Sequence, residues 1–341
     1  MAEEWEPSHS AEGGASQASD MAGNVQAEGL AGEEPFYIVI NPRSGQDKSS
    51  EVTDTITAVL TAAGRRFELM PVSDASLLAE TAANAVAKAQ DNGGVVVAVG
   101  GDGTLNAVSQ QVLGSGVLFG ILPQGTFNYF GRTFGIPQET EIATRCLLDA
   151  IVEPVQVGTL NGRIFLVNAS LGLYPQLLEE REVFKQRYGR SRLVAFWAAM
   201  VTFLHAHRQL SVELKHEGET LMLRTQSLVV GNNALQLEQI GIAQATEIAR
   251  GHLVAMTSRP LSVMALYGLL LRGLMSRLGD AENIISFGFH RMTVRVGSRR
   301  GRIKVAMDGE ISWLRSPLEF KVSEHRLPLL VPRDGTLRER K

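Results

Sequence analysis

The 341-residue chain contains one cysteine, Cys146. A disulfide framework within the chain is therefore excluded, and the composition suits a reducing compartment. No apolar run approaches the ~20 residues of a membrane-spanning helix. The opening MAEEWEPSHS lacks the basic and apolar regions of a secretory signal. Histidine and cysteine are not clustered at zinc-binding spacing, and His205 and His207, two apart at the end of a helical run, read as solvated. The G-x-x-x-x-G-K-[ST] pattern is missing, which excludes a P-loop NTPase. No G-x-G-x-x-G opens the first helix, so a dinucleotide dehydrogenase is unsupported.

Positive charge is missing from one region only. Residues 1–34 hold eight acidic residues and no Lys or Arg, which leaves 28 acidic against all 33 basic residues in the remainder, a net charge of +5. Poor in apolar periodicity and rich in Ala, Gly, Ser and Glu, this stretch reads as a disordered acidic tail. The mildly basic body suits anionic ligands or an anionic membrane surface rather than nucleic acid.

What is present is strongly patterned. The apolar run Phe36–Ile40 reads as a buried strand ending in the turn cluster Asn41-Pro42-Arg43-Ser44-Gly45. A helix over roughly Ser50–Ala63, a strand over Phe67–Val72 and a helix over Ala75–Gln90 follow. Val95–Val99 has the β-branched, fully apolar character of a parallel strand covered on both faces. A helix over Thr104–Leu113 and a strand over Val117–Leu122 continue the alternation. This predicts an α/β fold: a doubly wound nucleotide-binding domain over residues 35–154. Beyond residue 155 short β-rich runs dominate: Val155–Leu160, Arg163–Asn168, Leu210–Lys215, Thr220–Val230, Leu253–Thr257, Arg291–Val296, Arg302–Met307 and Leu318–Val322. Two long helical segments, roughly Leu177–His207 and Leu261–Leu278, interrupt them. The expectation is a β-sandwich-like domain over residues 155–332 and a flexible C-terminus over 333–341.

The sharpest local signal is Gly100-Gly101-Asp102-Gly103-Thr104, between a strand and a helix. Glycines let the backbone approach a ligand closely, and the following helix start offers free N–H groups and a positive dipole end. An acid beside phosphates implies a metal or a proton to balance it, which makes Asp102 the candidate metal ligand. Gly125-Thr126-Phe127-Asn128 is a second turn and Asn41–Gly45 a third. All three lie at the carboxyl ends of strands, where open parallel sheets bind ligands.

These segments, together with Asn106, Leu122-Pro123-Gln124 and the late Met307-Asp308-Gly309-Glu310, resemble the diacylglycerol kinase catalytic-domain family. That family includes bacterial lipid kinases and the sphingosine and ceramide kinases. Asn168–Tyr174 and Gly231–Asn233 also look like family positions, so the likeness runs from about residue 36 to 332. The GGDGT element is shared with NAD kinases, whereas the N-P-x-S-G and P-x-G-T-x-N loops favour the lipid kinases. The resemblance implies ATP-dependent, Mg²⁺-assisted phosphorylation of a lipid hydroxyl in a cleft between the two domains. By position it implies nucleotide contacts from Asn41, Pro42, Gly45, Gly100, Gly101, Asp102, Gly103, Thr104, Leu105, Asn106, Ala107, Gly125, Thr126 and Asn128, and from Val72 or Ser73. The base that deprotonates the hydroxyl is Asp308 or Glu310, and Asp102 is the third candidate catalytic residue. The same Asp-Gly-Glu sequence also reads as a plain hairpin turn.

The chain departs from the family at Gln156 and Arg250, where relatives carry metal-network aspartates, and at Tyr129, where Asp commonly follows the Asn. A kinase of this type works at a bilayer, which implies a cytoplasmic protein bound peripherally to the inner face of the membrane. Arg181, Lys185, Arg187, Arg190 and Arg192 before the apolar stretch Leu193–Leu204 suit an interfacial helix. Leu261–Leu278, with Arg272 and Arg277, is a second such segment, and the basic stretch from Arg291 to Lys304 a third. Two other readings of the residues stand beside the lipid kinase: an NAD kinase-like phosphotransferase, and a degenerate nucleotide-binding protein. Neither the lipid nor the oligomeric state follows from the sequence.

Overall fold

In the computed structural model the described residues are 30–41, 46–125, 127–172, 210–216, 218–258, 284–297 and 301–333. The two long helical segments expected at Leu177–His207 and Leu261–Leu278 lie outside them.

Strands β1 (Phe36–Ile40), β2 (Phe67–Pro71), β3 (Val95–Gly100) and β4 (Leu118–Pro123) pair in parallel, in the order β2-β1-β3-β4. Their apolar residues face alternately to the two sides, as the period of a strand requires. Tyr37, Val39, Val96 and Ala98 enter one apolar cluster, with Ala82, Ala85 and Val86 of helix α2 (Leu78–Asn92) and Leu105 and Val108 of α3 (Asp102–Val112). Phe36, Ile38, Ile40, Val95, Val97 and Val99 enter the other, with Ile56 and Leu60 of α1 (Gln46–Ala62) and Ala143 and Leu147 of α5 (Thr140–Leu148). Both faces are covered, so β1 and β3 read as unbroken apolar runs. The short helix α4 (Tyr129–Thr133) lies between β4 and α5.

Past β5 (Ala150–Val155) the chain builds two antiparallel six-stranded sheets. One has the order β10-β9-β14-β17-β6-β7, from Glu219–Thr225, Leu210–His216, Arg291–Val296, Leu318–Val322, Gly158–Leu160 and Arg163–Phe165. The other has the order β13-β12-β11-β8-β15-β16, from Ile284–Phe289, Leu253–Ser258, Ser227–Gly231, Asn168–Gly172, Arg302–Met307 and Glu310–Arg315. Residues of both, including Leu160, Phe165, Val294 and Phe320 from the first and Leu171, Leu228, Phe289 and Val305 from the second, share one core. Two short helices, α6 (Ala234–Gln239) and α7 (Thr246–Ala249), pack on the outside of the second sheet through Leu237, Ile248, Val254 and Met256.

Several sequence expectations change. The run Thr220–Val230 is two strands, one in each sheet, broken at Gln226, and Arg163–Asn168 divides likewise between β7 and β8. A change of sheet leaves alternation intact on both sides of the bend, so periodicity does not reveal it. The final strand, β18 (Leu327–Pro332), does not join the β-rich unit. It enters the first sheet between β4 and β5, parallel to the former and antiparallel to the latter, and buries Leu327, Leu329, Leu330 and Val331 there. Of the stretch read as an acidic tail, residues 30–34 are described and lie against the body. The Glu34 carboxylate pairs at 3.2 Å with Arg65, whose guanidinium is buried and lies 4.5 Å from the Phe36 ring centre, and Leu30 packs on the core.

Candidate functional site

Because β1, β3 and β4 are neighbours and parallel, their carboxyl ends bring the three loops together. The Asn41 amide N–H donates to the Val99 carbonyl at 3.2 Å, and its side-chain Nδ2 donates to Thr104 Oγ1 at 3.0 Å. The Gln124 N–H donates to the Gly100 carbonyl at 2.8 Å. The two glycine turns touch. A Cβ on Gly125 would stand 3.1 Å from the Gly101 Cα and 2.5 Å from Asn128 Oδ1, so the second turn has no room for a side chain at Gly125. Asn128, in a left-handed conformation at φ 47°, closes the second turn: its Oδ1 accepts from Gly125 N–H and its Nδ2 donates to the Gly125 carbonyl, both at 2.9 Å. It also bonds Gln138.

Of the residues expected at a nucleotide, Asn41, Gly100, Gly101, Asp102, Gly103, Thr104, Gly125 and Asn128 gather here. Pro42, Gly45 and Thr126 lie outside the described residues. Leu105 and Val72 are buried in the apolar cluster. Their side chains face the core, and of the pair Val72 and Ser73 only Ser73 is exposed. Asn106 and Ala107 are half-buried on α3.

Helix α3 starts two residues earlier than the apolar periodicity indicated, with Gly101 as its cap and Asp102 as its first residue. The Asp102 carboxyl is largely enclosed, and its Oδ1 is buried with no partner among the described residues. Burial pushes its pKa up to about 6, the Asp308 charge adds to the rise, and a hydrogen bond from the Asn128 backbone opposes it.

Across from it, Asp308 (φ 47°) and Gly309 (φ 87°) are the two central residues of a tight hairpin turn joining β15 to β16. Two successive positive φ angles define the turn that Asp-Gly favours. The hairpin reading of this sequence is therefore correct, and the turn still presents two acids of opposite character. Asp308 Oδ2 accepts from Asn106 Nδ2 and Leu166 N–H, both at 2.7 Å, and Oδ1 from the N–H groups of Val167 at 2.9 Å and Asn168 at 3.0 Å. Both of its oxygens are committed. Burial holds its pKa above the ordinary range, against the pull of these four bonds. Glu310 is exposed, and among the described residues no hydrogen bond or ion pair holds its carboxylate. Its Oε1 would stand 2.6 Å from a Cβ placed on Gly103, so the carboxylate lies against the glycine loop.

Sequence reasoning missed the scaffold behind Asp308. Asn106 Nδ2 also reaches the Ile164 carbonyl at 3.1 Å, and Gln110 Oε1 accepts from the Ile164 N–H at 2.9 Å, tying α3 to the segment that grips Asp308. Asn232 Nδ2 donates to the carbonyls of Leu166 at 3.1 Å and Gln156 at 3.2 Å. Gln156 Nε2 donates to Asn232 Oδ1 at 2.9 Å and to the His252 carbonyl at 3.0 Å. Two of the three departures from the family pattern, Gln156 and Arg250, thus have local structures of their own. Gln156 is a buried amide link, and Arg250 pairs with Glu247 at 2.6 Å, whose other oxygen meets His252 at 2.9 Å. Among the described residues no three His, Cys, Asp or Glu side chains gather as a metal site. Nor is any helix there long and apolar enough to cross a membrane.

Residues 35–160 match the family model of the diacylglycerol kinase catalytic domain, which bears out the resemblance carried by the loops. A diacylglycerol kinase of Bacillus subtilis is 26% identical over 186 residues, 53% of this chain and 59% of that protein. One from Staphylococcus aureus (strain bovine RF122 / ET3-1) is 30% identical over 148 residues, 42% of this chain and 45% of that protein. The match thus spans about half the length of these curated relatives. A crystal structure from Bacillus anthracis described as a diacylglycerol kinase superposes with TM-score 0.62 at 17% identity, over 89% of this chain and 98% of that one. A second chain from the same organism gives TM-score 0.68 at 19% identity with the same coverage, so the likeness in fold extends well beyond the catalytic-domain match.

Proposed function

We propose, from the diacylglycerol kinase catalytic-domain match of residues 35–160 and the geometry of the loops, that the protein is a kinase that transfers the γ-phosphate of ATP to the hydroxyl of a diacylglycerol-like lipid. The observation that carries this reading is the meeting of Glu310 with Gly103: an exposed carboxylate faces a glycine loop built to hold phosphates. The abutting Gly101 and Gly125 turns, the Asn41 amide and the start of α3 supply backbone and side-chain N–H groups for the nucleotide. Asp102, with its orphaned buried oxygen, is the residue to hold Mg²⁺. When bound, that ion neutralises phosphate charge, the main requirement of phosphoryl transfer.

Glu310 acts as general base. It takes the proton of the lipid hydroxyl as that oxygen forms a bond to the γ-phosphorus. The bond from that phosphorus to the β-bridging oxygen breaks, and ADP leaves with the electron pair. Asp308 is a positioning residue: with both oxygens committed, it fixes the hairpin so that Glu310 faces the loop. The site works between the α/β unit and the β-rich unit, at the cytoplasmic face of a membrane. The test is to incubate purified protein with labelled ATP, Mg²⁺, a panel of lipids and NAD. Label in a diacylglycerol is the expected result. Label in NAD alone, or in nothing, overturns the proposal.

A further inference from the structure

We propose that the outward face of the β15–β16 hairpin is the surface by which the protein rests on an anionic bilayer. This deepens the lipid kinase reading and rests on it. Strand β16 is the edge of its sheet. Its alternate residues Ile311, Trp313 and Arg315 point away from the core that Ile303, Val305 and Met307 of β15 enter. Trp313 is 60% exposed and Ile311 37% exposed. In register, Trp313 lies opposite Lys304 and Arg315 opposite Arg302, and the Lys304 ammonium sits 5.2 Å from the Trp313 ring centre. One small face therefore combines a large aromatic, an aliphatic and three cations, the chemistry of an interface between acyl chains and anionic headgroups. Glu310 begins the same strand, three residues from Trp313 or roughly 10 Å along it, and by the same alternation its side chain leaves on the opposite face, beside Met307.

Self-association through this face is disfavoured, because a twofold pairing would set three cations against three. The body's net charge of +5 once residues 1–34 are set aside points the same way.

The test is co-sedimentation of the full chain with phosphatidylcholine vesicles, with and without phosphatidylglycerol. Wild type is expected to sediment only with the phosphatidylglycerol vesicles, and less as salt rises. Trp313→Ala and the pair Lys304→Glu with Arg315→Glu should weaken binding, by roughly five-fold or more for each cation lost. Activity of these variants on a short-chain diacylglycerol in detergent micelles should match wild type. Variants that sediment like wild type overturn the proposal, as does a wild type that ignores anionic vesicles, or a dimer that Trp313→Ala dissociates. Should no lipid be phosphorylated while sedimentation still depends on Trp313, the kinase reading falls and the surface stands.

Discussion

At the residue scale, Asp102 and Glu310 are opposites: one enclosed and titrating abnormally, the other exposed and unheld. The folded pKa of Asp102 is raised from 3.8 to about 6. Between these values the native state binds more protons than the unfolded one, so stability falls as pH rises through that window. At neutral pH the enclosed charge costs up to ~3 kcal/mol. Asp102→Asn keeps the shape and removes that cost. It should raise the melting temperature at pH 7 but not near pH 4, while abolishing phosphoryl transfer, and calorimetry at the two pH values checks the sign. Glu310→Gln should leave the melting temperature unchanged and lower kcat by ~10²–10⁴ with ATP binding preserved, the range for loss of a general base. Near-wild-type turnover in that variant moves the base to Asp102 acting through water.

At the element scale the decisive piece is the Asp308-Gly309 turn. Asp308 carries four hydrogen bonds from α3 and from residues 166–168. Asp308→Asn would set an amide –NH₂ against N–H donors. The expected loss is ~2–5 kcal/mol, from broken charge-assisted bonds and unsatisfied buried donors, read by urea unfolding. A destabilised but still active enzyme at low temperature fits a positioning role; unchanged stability does not. The glycine turns make a parallel point. Gly125→Ala sets a methyl group 2.5 Å from Asn128 Oδ1. It should weaken ATP binding, as followed by calorimetric titration, without unfolding the sheet.

At the scale of the whole molecule, the chain's return through β18 binds the two units into one. A fragment of residues 35–154 lacks the strand that fills the gap between β4 and β5, leaving Phe119 and Val152 without the neighbours Leu329 and Leu330. Expressed alone it should fail to give a cooperative unfolding transition, and a cooperative, stable fragment would show that β18 is dispensable. The N-terminal edge behaves similarly on a smaller scale. Glu34→Gln removes the partner of a buried guanidinium. It should cost ~1–3 kcal/mol, less than a fully buried pair because Glu34 keeps some contact with water.

The sequence by itself determined the α/β unit and its three loops. Phe36–Ile40 and Val95–Val99 are apolar at every position because both of their faces are covered, and the glycine loop between a strand and a helix stands out in the bare sequence. It determined strands β14, β15 and β17 residue for residue, since one face of each meets the core and alternation is then unambiguous. It did not determine which acid of Asp308-Gly309-Glu310 is tied down, because that depends on N–H groups some 140 residues away. Nor did it place β18, whose pairing is a matter of where the chain ends up rather than of local pattern. The raised pKa of Asp102 likewise required the tertiary structure, because burial and a second carboxylate brought close by folding set it, and no nearest-neighbour feature of the sequence encodes either.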